Sequence, residues 1–338
     1  MAVKWSWAFG QETPTQLKAD MDFNFLNTSQ SNVNSTITYT YAGSPTRYSM
    51  GCDGGAEFTL PTASFPVTGW IATAVYFNAT AYAAYAYLIK CKSQSGKFIA
   101  IYNESTLGPT MGLYVDNALK ETFAAPSFND WHYFALKYDM SVTNAWTGRV
   151  YINGSAVTSS WTDTSATAAT SGSCVLEGCT NLNESTIFAQ IIIYDSLGDA
   201  GETPLFVTRL PPNADTGEVG TWVPSTGATN IGVTNNDPLN IATYTQEAAP
   251  TSGDNVVTEV NNLVTQLGLT AGTVLGATNH TYSSGTNVQV FASIRDSGGT
   301  YVNGATITPD SADTTYGFGT ATAGLTGSST IQCKYEVV

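Results

Sequence analysis

The chain has 338 residues, a formal net charge of −14 and a sequence pI near 4.3, with 11% charged and 42% hydrophobic residues. Fifty Thr and 29 Ser, with 18 Tyr and 31 Gly, make a strand-forming composition that excludes a mainly helical or a disordered chain. The acidic balance excludes binding nucleic acid through its phosphates and disfavours an anionic membrane surface, both of which need clustered Lys and Arg.

In chain order, residues 3–9 (VKWSWAF) alternate and predict a strand, and 10–35 are polar without clear periodicity. From 36 to 210 the pattern is β, with strands expected at 36–42, 55–61 and 70–79. AYLIKCKS (86–93) and FIAIYNE (98–104) flank the turn signal Gln94-Ser95-Gly96-Lys97. MGLYVDN (111–117) and LKETFAA (119–125) predict a second hairpin. WHYFALKYD (131–139) is followed by GRVYINGSAV (148–157), whose Asn153-Gly154 pair suits a type I′ turn. CVLEG (174–178) and TIFAQIIIYDS (186–196) close this block. Short strands with turn signals between them predict an antiparallel sandwich or jelly roll.

Pro204, Pro211 and Pro212 and the polar stretch 213–220 mark a junction. Two domains are therefore expected, 1–212 and 213–338. Residues 1–210 hold 10 basic and 16 acidic groups (net −6), and 211–338 hold 2 and 10 (net −8), so the second part is the more acidic per residue. Residues 255–267 (NVVTEVNNLVTQL) place Val256, Val260, Leu263, Val264 and Leu267 on one helical face, with Asp254 and Gly268 as caps. One short helix is expected there. Strands are expected at 273–282, 287–295, 314–322 and 330–337, completing a smaller β-sandwich domain.

The residues that carry chemistry are few. The two histidines, His132 and His280, are far apart in sequence, which argues against a His-based metal site and a Ser-His-Asp enzyme. His132 is expected to be structural. Cys52, Cys91, Cys174, Cys179 and Cys333 form no CxxC pair and are odd in number, so the expectation is reduced, partly buried thiols. A Cys174–Cys179 bridge across a turn stays open. Carboxylates at Glu57, Glu104, Glu121, Glu177 and Glu184 are isolated, and no E-x-D-x-E strand motif occurs, so no glycosidase pair and no enzyme activity are expected. Trp146, Trp161, Tyr82, Tyr85 and Tyr87 are candidate rim aromatics for stacking on sugars, Trp146 and Trp161 first, set against the commoner core role of such rings. Asp53, Asp116 and Asp139 are Ca²⁺ candidates in principle only, because their spacing specifies no site. No cofactor is expected.

Seven N-x-S/T sequons, from Asn27 to Asn279, are what a chain this rich in Asn, Ser and Thr gives by chance. MAVKWSWAFGQETP lacks the apolar core of a signal peptide, and no apolar run reaches membrane-spanning length. Neither an export signal nor glycans are expected.

Two resemblances follow. WHYFALKYD (131–139), RVYINGSAV (149–157) and TIFAQIIIYDS (186–196), in that order, resemble the strand, hairpin and closing strand of the laminin-G-like, concanavalin-like jelly roll, over about residues 1–210. This resemblance implies a fold, with the closing strand pairing near the N-terminal one, and only weakly a function. VTRLPPNADTGEVGTWVPSTGATNIGVTNNDPLNIATYTQEA (207–248) resembles a segment of structural proteins of tailed bacteriophages. The match is carried by Arg209, Pro212, Asp215, Trp222, Pro224, Ser225, Gly227, Asn230, Val233, Thr243 and Tyr244, and Ile231 departs from it. FASIRDSGGTYVNGATI (291–307) resembles a later hairpin of the same proteins.

This second resemblance implies a virion exterior protein, which a particle released by lysis reconciles with the absent export signal. The expected role is a non-catalytic capsid decoration or head-fibre protein. It would be a homo-oligomer docked by its C-terminal domain on the major capsid protein or another virion protein. The alternative is a glycan-binding adhesin or tail-fibre receptor-binding protein that recognises host-surface glycans.

Overall fold

The computed structural model describes, with side chains, residues 65–76, 87–103, 110–127, 129–164, 166–177, 188–204, 249–257 and scattered positions between 214 and 338; elsewhere it describes strand backbones only. The first sixteen strands are β1 (Val3–Ala8), β2 (Asn24–Phe25), β3 (Ser35–Tyr39), β4 (Arg47–Gly51), β5 (Ala56–Phe58), β6 (Thr68–Phe77), β7 (Ala86–Ser93), β8 (Phe98–Glu104), β9 (Thr110–Val115), β10 (Ala118–Ala124), β11 (Asp130–Asp139), β12 (Trp146–Ile152), β13 (Ser155–Ala156), β14 (Trp161–Asp163), β15 (Gly172–Leu176) and β16 (Ile187–Tyr194). Eleven follow: β17 (Ala214–Val219), β18 (Trp222–Pro224), β19 (Thr245–Glu247), β20 (Asn255–Val260), β21 (Ala271–Gly272), β22 (Gly276–Thr281), β23 (Val290–Asp296), β24 (Val302–Asn303), β25 (Thr314–Gly319), β26 (Leu325–Thr326) and β27 (Ile331–Val337). Among the described residues every regular element is a strand, and the architecture is an all-β sandwich type. Two compact units are formed, one from residues 1–41 and 46–208, the other from 42–45 and 209–338.

The first unit packs two antiparallel sheets. One has nine strands in the order β13-β12-β11-β6-β16-β4-β3, with β1 added beside β16 and β14 beside β12. The other has seven, in the order β10-β9-β8-β7-β15-β5-β2. The β1–β16 pairing joins the N-terminal strand to the closing strand, as the jelly-roll resemblance implies. Strand alternation divides β11 cleanly. Phe134, Leu136 and Tyr138 point into the core between the sheets, where they meet Ile99, Ile101 and Leu113 of the opposite sheet. Tyr133 and Ala135 point to the outer face of the nine-stranded sheet, beside Trp70, Ala72, Ile192 and Tyr194.

The chain itself covers part of that outer face. After β16 it turns back, so that Tyr133 Oη donates to the Gly201 carbonyl at 3.2 Å. Gly201 lies flat on Trp70: a Cβ there would sit 2.6 Å from the indole ring. Burial pushes the Tyr194 phenol up to about 12 in this layer, although a hydrogen bond with Tyr133 opposes the shift.

The hairpins are set by turn chemistry. Asn153 and Gly154 both have positive φ (50° and 86°), the type I′ geometry, and join β12 to β13. Asp116 and Asn117 (50° and 65°) do the same between β9 and β10 without glycine, which Asn and Asp tolerate. Asn153 does more than turn the chain. Its Oδ1 accepts the Tyr133 N–H at 2.8 Å and its Nδ2 donates to His132 Nδ1 at 3.1 Å. His132 Nε2–H in turn donates to the Ser127 carbonyl at 2.9 Å. His132 is thus buried and fully used in fixing the hairpin.

This hub makes a graded prediction. Asn153→Ala strains the positive φ and leaves the Tyr133 N–H unpaired, and is expected to cost about 2–3 kcal/mol in urea unfolding. Asn153→Gly relieves the strain and is expected to cost less, about 1–2 kcal/mol. An alanine variant as stable as the original would show that the hub contributes nothing.

In the second unit a five-stranded sheet runs β17-β20-β27-β23-β24, beside the two-stranded pairs β18–β19, β21–β26 and β22–β25. The expected helix over 255–267 is not found: residues 255–260 form β20, and 261–267 lie outside the described residues. Tertiary pairing overrides the helical spacing. β20 is held on both sides, by β17 and by β27, and its Val256-Val257 run suits a strand better than a helix. Val256 also packs against a small core of Trp222 and Val337, with Trp222 edge-on to Tyr335 at 6.0 Å. Trp222 belongs to the 207–248 segment, so part of that motif builds the core of this unit.

Candidate functional site

The outer face of the seven-stranded sheet carries a set of aromatic side chains. The register fixes which side chains share it. Tyr87 opposes Tyr102, Lys90 opposes Ala100, and Ala100 opposes Tyr114, while Ile99, Ile101 and Leu113 alternate into the core. Tyr87, Tyr102 and Tyr114 are therefore outward neighbours and are partly exposed.

Their rings form one cluster. Tyr87 lies 4.7 Å from Tyr102 and 5.1 Å from Phe98 between centroids, and Tyr102 lies 5.3 Å from Tyr114. Lys90 Nζ sits over Tyr87 and Phe98 at 4.1 and 4.3 Å. Glu177 Oε2 accepts the Tyr87 N–H at 3.1 Å. Burial pushes the Glu177 carboxyl up, against the pull of that hydrogen bond and of Lys90. Burial also raises the Tyr87 phenol, with Glu177 adding to it. The arrangement offers ring faces, phenol hydroxyls and one ammonium on a rigid sheet. It can stack on an apolar sugar face and hydrogen-bond at its edge.

A second exposed aromatic stands where the two sheets meet. Trp161 is 38% exposed. Its Nε1–H donates to Glu121 Oε2 at 2.5 Å, and the Ser159 N–H donates to the same oxygen at 2.8 Å. Beside it Lys120 Nζ binds Asp163 Oδ2 at 2.8 Å. These two contacts latch β10 to β14 and its flank across the sandwich edge.

The hydrogen bond from Trp161, and then that from Ser159, lowers the Glu121 carboxyl below the usual range. The ionised form is thus favoured in the folded chain. The latch is complete above the ordinary carboxylate pKa and is lost as pH falls through the lowered value. We expect the Trp161 indole N–H resonance to move upfield on acidification and Glu121→Gln to abolish that pH dependence. A resonance that ignores both would sink the latch.

The structure separates the candidates. Trp146 is not a rim residue. It is fully buried at the start of β12, its Nε1–H donating to the Thr167 carbonyl at 3.1 Å, because Trp146, Gly148, Val150 and Ile152 alternate into the core. Trp161 is exposed, and Tyr87 sits at the centre of the ring cluster, so the two are placed separately: Tyr87 on the sheet face, Trp161 at the edge. Tyr82 and Tyr85 lie outside the described residues. Phe98, Tyr102, Tyr114 and Lys90 were not singled out by sequence. Only the pairing of β7, β8 and β9 brings them together, although each is an alternate residue of its strand.

Of the calcium candidates, Asp53 lies outside the described residues. Asp116 is bound by Lys97 at 2.8 Å, and Asp139 accepts from the Ser141 N–H and hydroxyl at 2.8 and 2.6 Å. Among the described residues no group of three His, Cys, Asp or Glu is placed to hold a metal. Of the isolated glutamates, Glu121 is engaged in the latch and Glu177 beneath Tyr87, while the side chains of Glu57, Glu104 and Glu184 lie outside the described residues.

No family model matches the chain, and no curated protein matches it in sequence. Solved structures similar to it include a Trypanosoma rangeli sialidase in complex with the inhibitor DANA, at 12% identity and a TM-score of 0.36, covering 51% of this chain. The matched region is 28% of the sialidase chain. A carbohydrate esterase of the Shiga toxin-encoding bacteriophage phi24B matches at 13% identity and a TM-score of 0.36, over 57% of this chain and 97% of that one. A protein of unknown function from Shewanella oneidensis MR-1 matches at 14% identity and 0.36, over 56% and 84%. The neighbours thus include carbohydrate-related proteins, one of them from a phage, at values that assign neither a family nor an activity to this chain.

Proposed function

We propose that this chain is a non-catalytic structural protein on the exterior of a tailed-phage particle, acting as a capsid decoration or head-fibre protein. The observation that carries the proposal is the 207–248 segment with its resemblance to tailed-phage structural proteins. Trp222 of that segment is a core residue of the second unit, so the resemblance falls on a folded element. The C-terminal domain docks on the major capsid protein or a neighbouring virion protein, and the N-terminal jelly roll projects as one member of a homo-oligomer. A strongly acidic, sparsely charged β protein suits a repeated outward-facing role, since net charge keeps crowded copies apart in solution.

Quantitative mass spectrometry of purified particles, alongside cryo-EM, tests this reading. Many ordered copies over the head are expected. Absence from the particle overturns it.

A second reading is favoured by the ring cluster on the seven-stranded sheet: a glycan-binding adhesin or tail-fibre receptor-binding protein. A few copies at the tail tip would favour it. So would glycan-array binding that weakens about tenfold in Tyr102→Ala with the fold intact, the size expected for losing one aromatic stacking partner. Array binding unchanged by that substitution rejects the cluster as the glycan site.

A further inference from the structure

Cys91 of β7 and Cys174 of β15 face each other directly in the antiparallel register. Both are thiols, both are fully buried, and both belong to the core between the sheets. The phase of the ladder is on view just beyond the strand ends, where the Gln94 N–H donates to the Ser171 carbonyl at 3.2 Å. That makes Ser171/Gln94 a hydrogen-bonded pair. Hydrogen-bonded and non-hydrogen-bonded pairs alternate along an antiparallel ladder. With Gly172 opposite Ser93 and Ser173 opposite Lys92, the alternation makes Cys174/Cys91 a non-hydrogen-bonded pair. Such pairs hold their Cα atoms about 4.5 Å apart and bring their side chains closest. Disulfides span Cα separations of roughly 4.4–6.8 Å, so this pair lies at the short end of the permitted range. Cys179, the partner open to Cys174 in the sequence, lies outside the described residues.

We propose that Cys91 and Cys174 form a cross-strand disulfide when the chain folds in an oxidising medium, with a low-molecular-weight disulfide as oxidant. One protein thiolate attacks that disulfide and expels one small thiol. The second protein thiolate then attacks the mixed disulfide and expels the other. The two protein S–H groups are oxidised to one S–S bond, the small disulfide is reduced to two thiols, and the two protons go with them. Burial places the exchange at the stage when β7 and β15 dock and before the core closes over them. The bridge closes a loop of about 80 residues and clamps the middle of the seven-stranded sheet, on the side opposite the ring cluster. It is independent of whether the chain decorates a capsid or binds a glycan.

The experiment is oxidative refolding of the full chain with oxidised and reduced glutathione, followed by alkylation under denaturing conditions and peptide mapping. A linked Cys91–Cys174 peptide and a mass about 2 Da lower than the reduced chain are expected, with the melting temperature raised by about 10 °C. The rise should vanish in Cys91→Ala. A variant carrying Cys52→Ser, Cys179→Ser and Cys333→Ser keeps the pair alone, and should show no reactive thiol once oxidised. If that variant does not fold, the peptide map of the natural chain decides. Both thiols alkylated in the folded, oxidised chain, or Cys174 found linked to any other cysteine, overturns the proposal.

Discussion

Trp146→Ala will destabilise the first unit by about 4–5 kcal/mol, read as a drop in the urea midpoint with the m-value retained. The indole is one of the largest fully buried side chains, packed between the two sheets, so its removal leaves a large cavity in the core. The substitution also removes the indole N–H that the Thr167 carbonyl accepts at 3.1 Å. Trp161→Ala is the matched control. Trp161 is exposed and its indole N–H donates to Glu121 at the sandwich edge, so the loss should stay within about 1 kcal/mol. Near-equal effects of the two substitutions would contradict the separation of core and edge. The pair also serves the functional question, because only the second variant can report on a ligand at the sandwich edge without unfolding the sheet behind it.

Gly69→Ala is expected to be as damaging, at about 3–5 kcal/mol, or to prevent folding of the unit outright. Gly69 has φ +138°, where a side chain is strained, and a Cβ there would lie 1.9 Å from the Tyr194 carbonyl oxygen. The clash is with the backbone of a paired strand, β16, whose register beside β6 is set by seven residues. Nothing flexible stands there to yield. Gly96→Ala is the contrast. Its φ is also positive, at +82°, but open space surrounds it, so the cost should be confined to the strained turn, about 1 kcal/mol. Thermal melts of the two variants check both expectations. A Gly69→Ala chain that melts like Gly96→Ala would show that β6 and β16 can move apart at little cost.

Part of this molecule was legible from its residues alone. Strand composition, alternation and two-residue turns are local, so β7, β8, the Asn153-Gly154 hairpin and the division of β11 into two faces could all be read directly. Trp146 was within reach too: Trp146, Gly148, Val150 and Ile152 alternate, and following that two-residue period one step further would have placed the indole in the core. The C-terminal region shows the limit. Residues 255–267 satisfy a helical spacing, and the β-branched Val256-Val257 pair opposes it only weakly. Pairing with β17 on one side and with β27, about 70 to 80 positions away, on the other makes 255–260 a strand. Long-range pairing supplies the missing free energy, and a window of the sequence does not contain it.

The ring cluster and the cysteine pair were illegible for the same reason. Tyr87, Phe98, Tyr102 and Tyr114 are ordinary outward strand residues until the β7-β8-β9 register stacks them. The sequence left open only a bridge from Cys174 to nearby Cys179, whereas the fold sets Cys174 against Cys91. The amino-acid sequence determined that this protein is β, acidic and built on sharp turns, because those properties follow from each residue and its near neighbours. Which face is partly covered, which aromatics gather and which thiols meet were decided by the tertiary structure, because strand register is a property of two segments together.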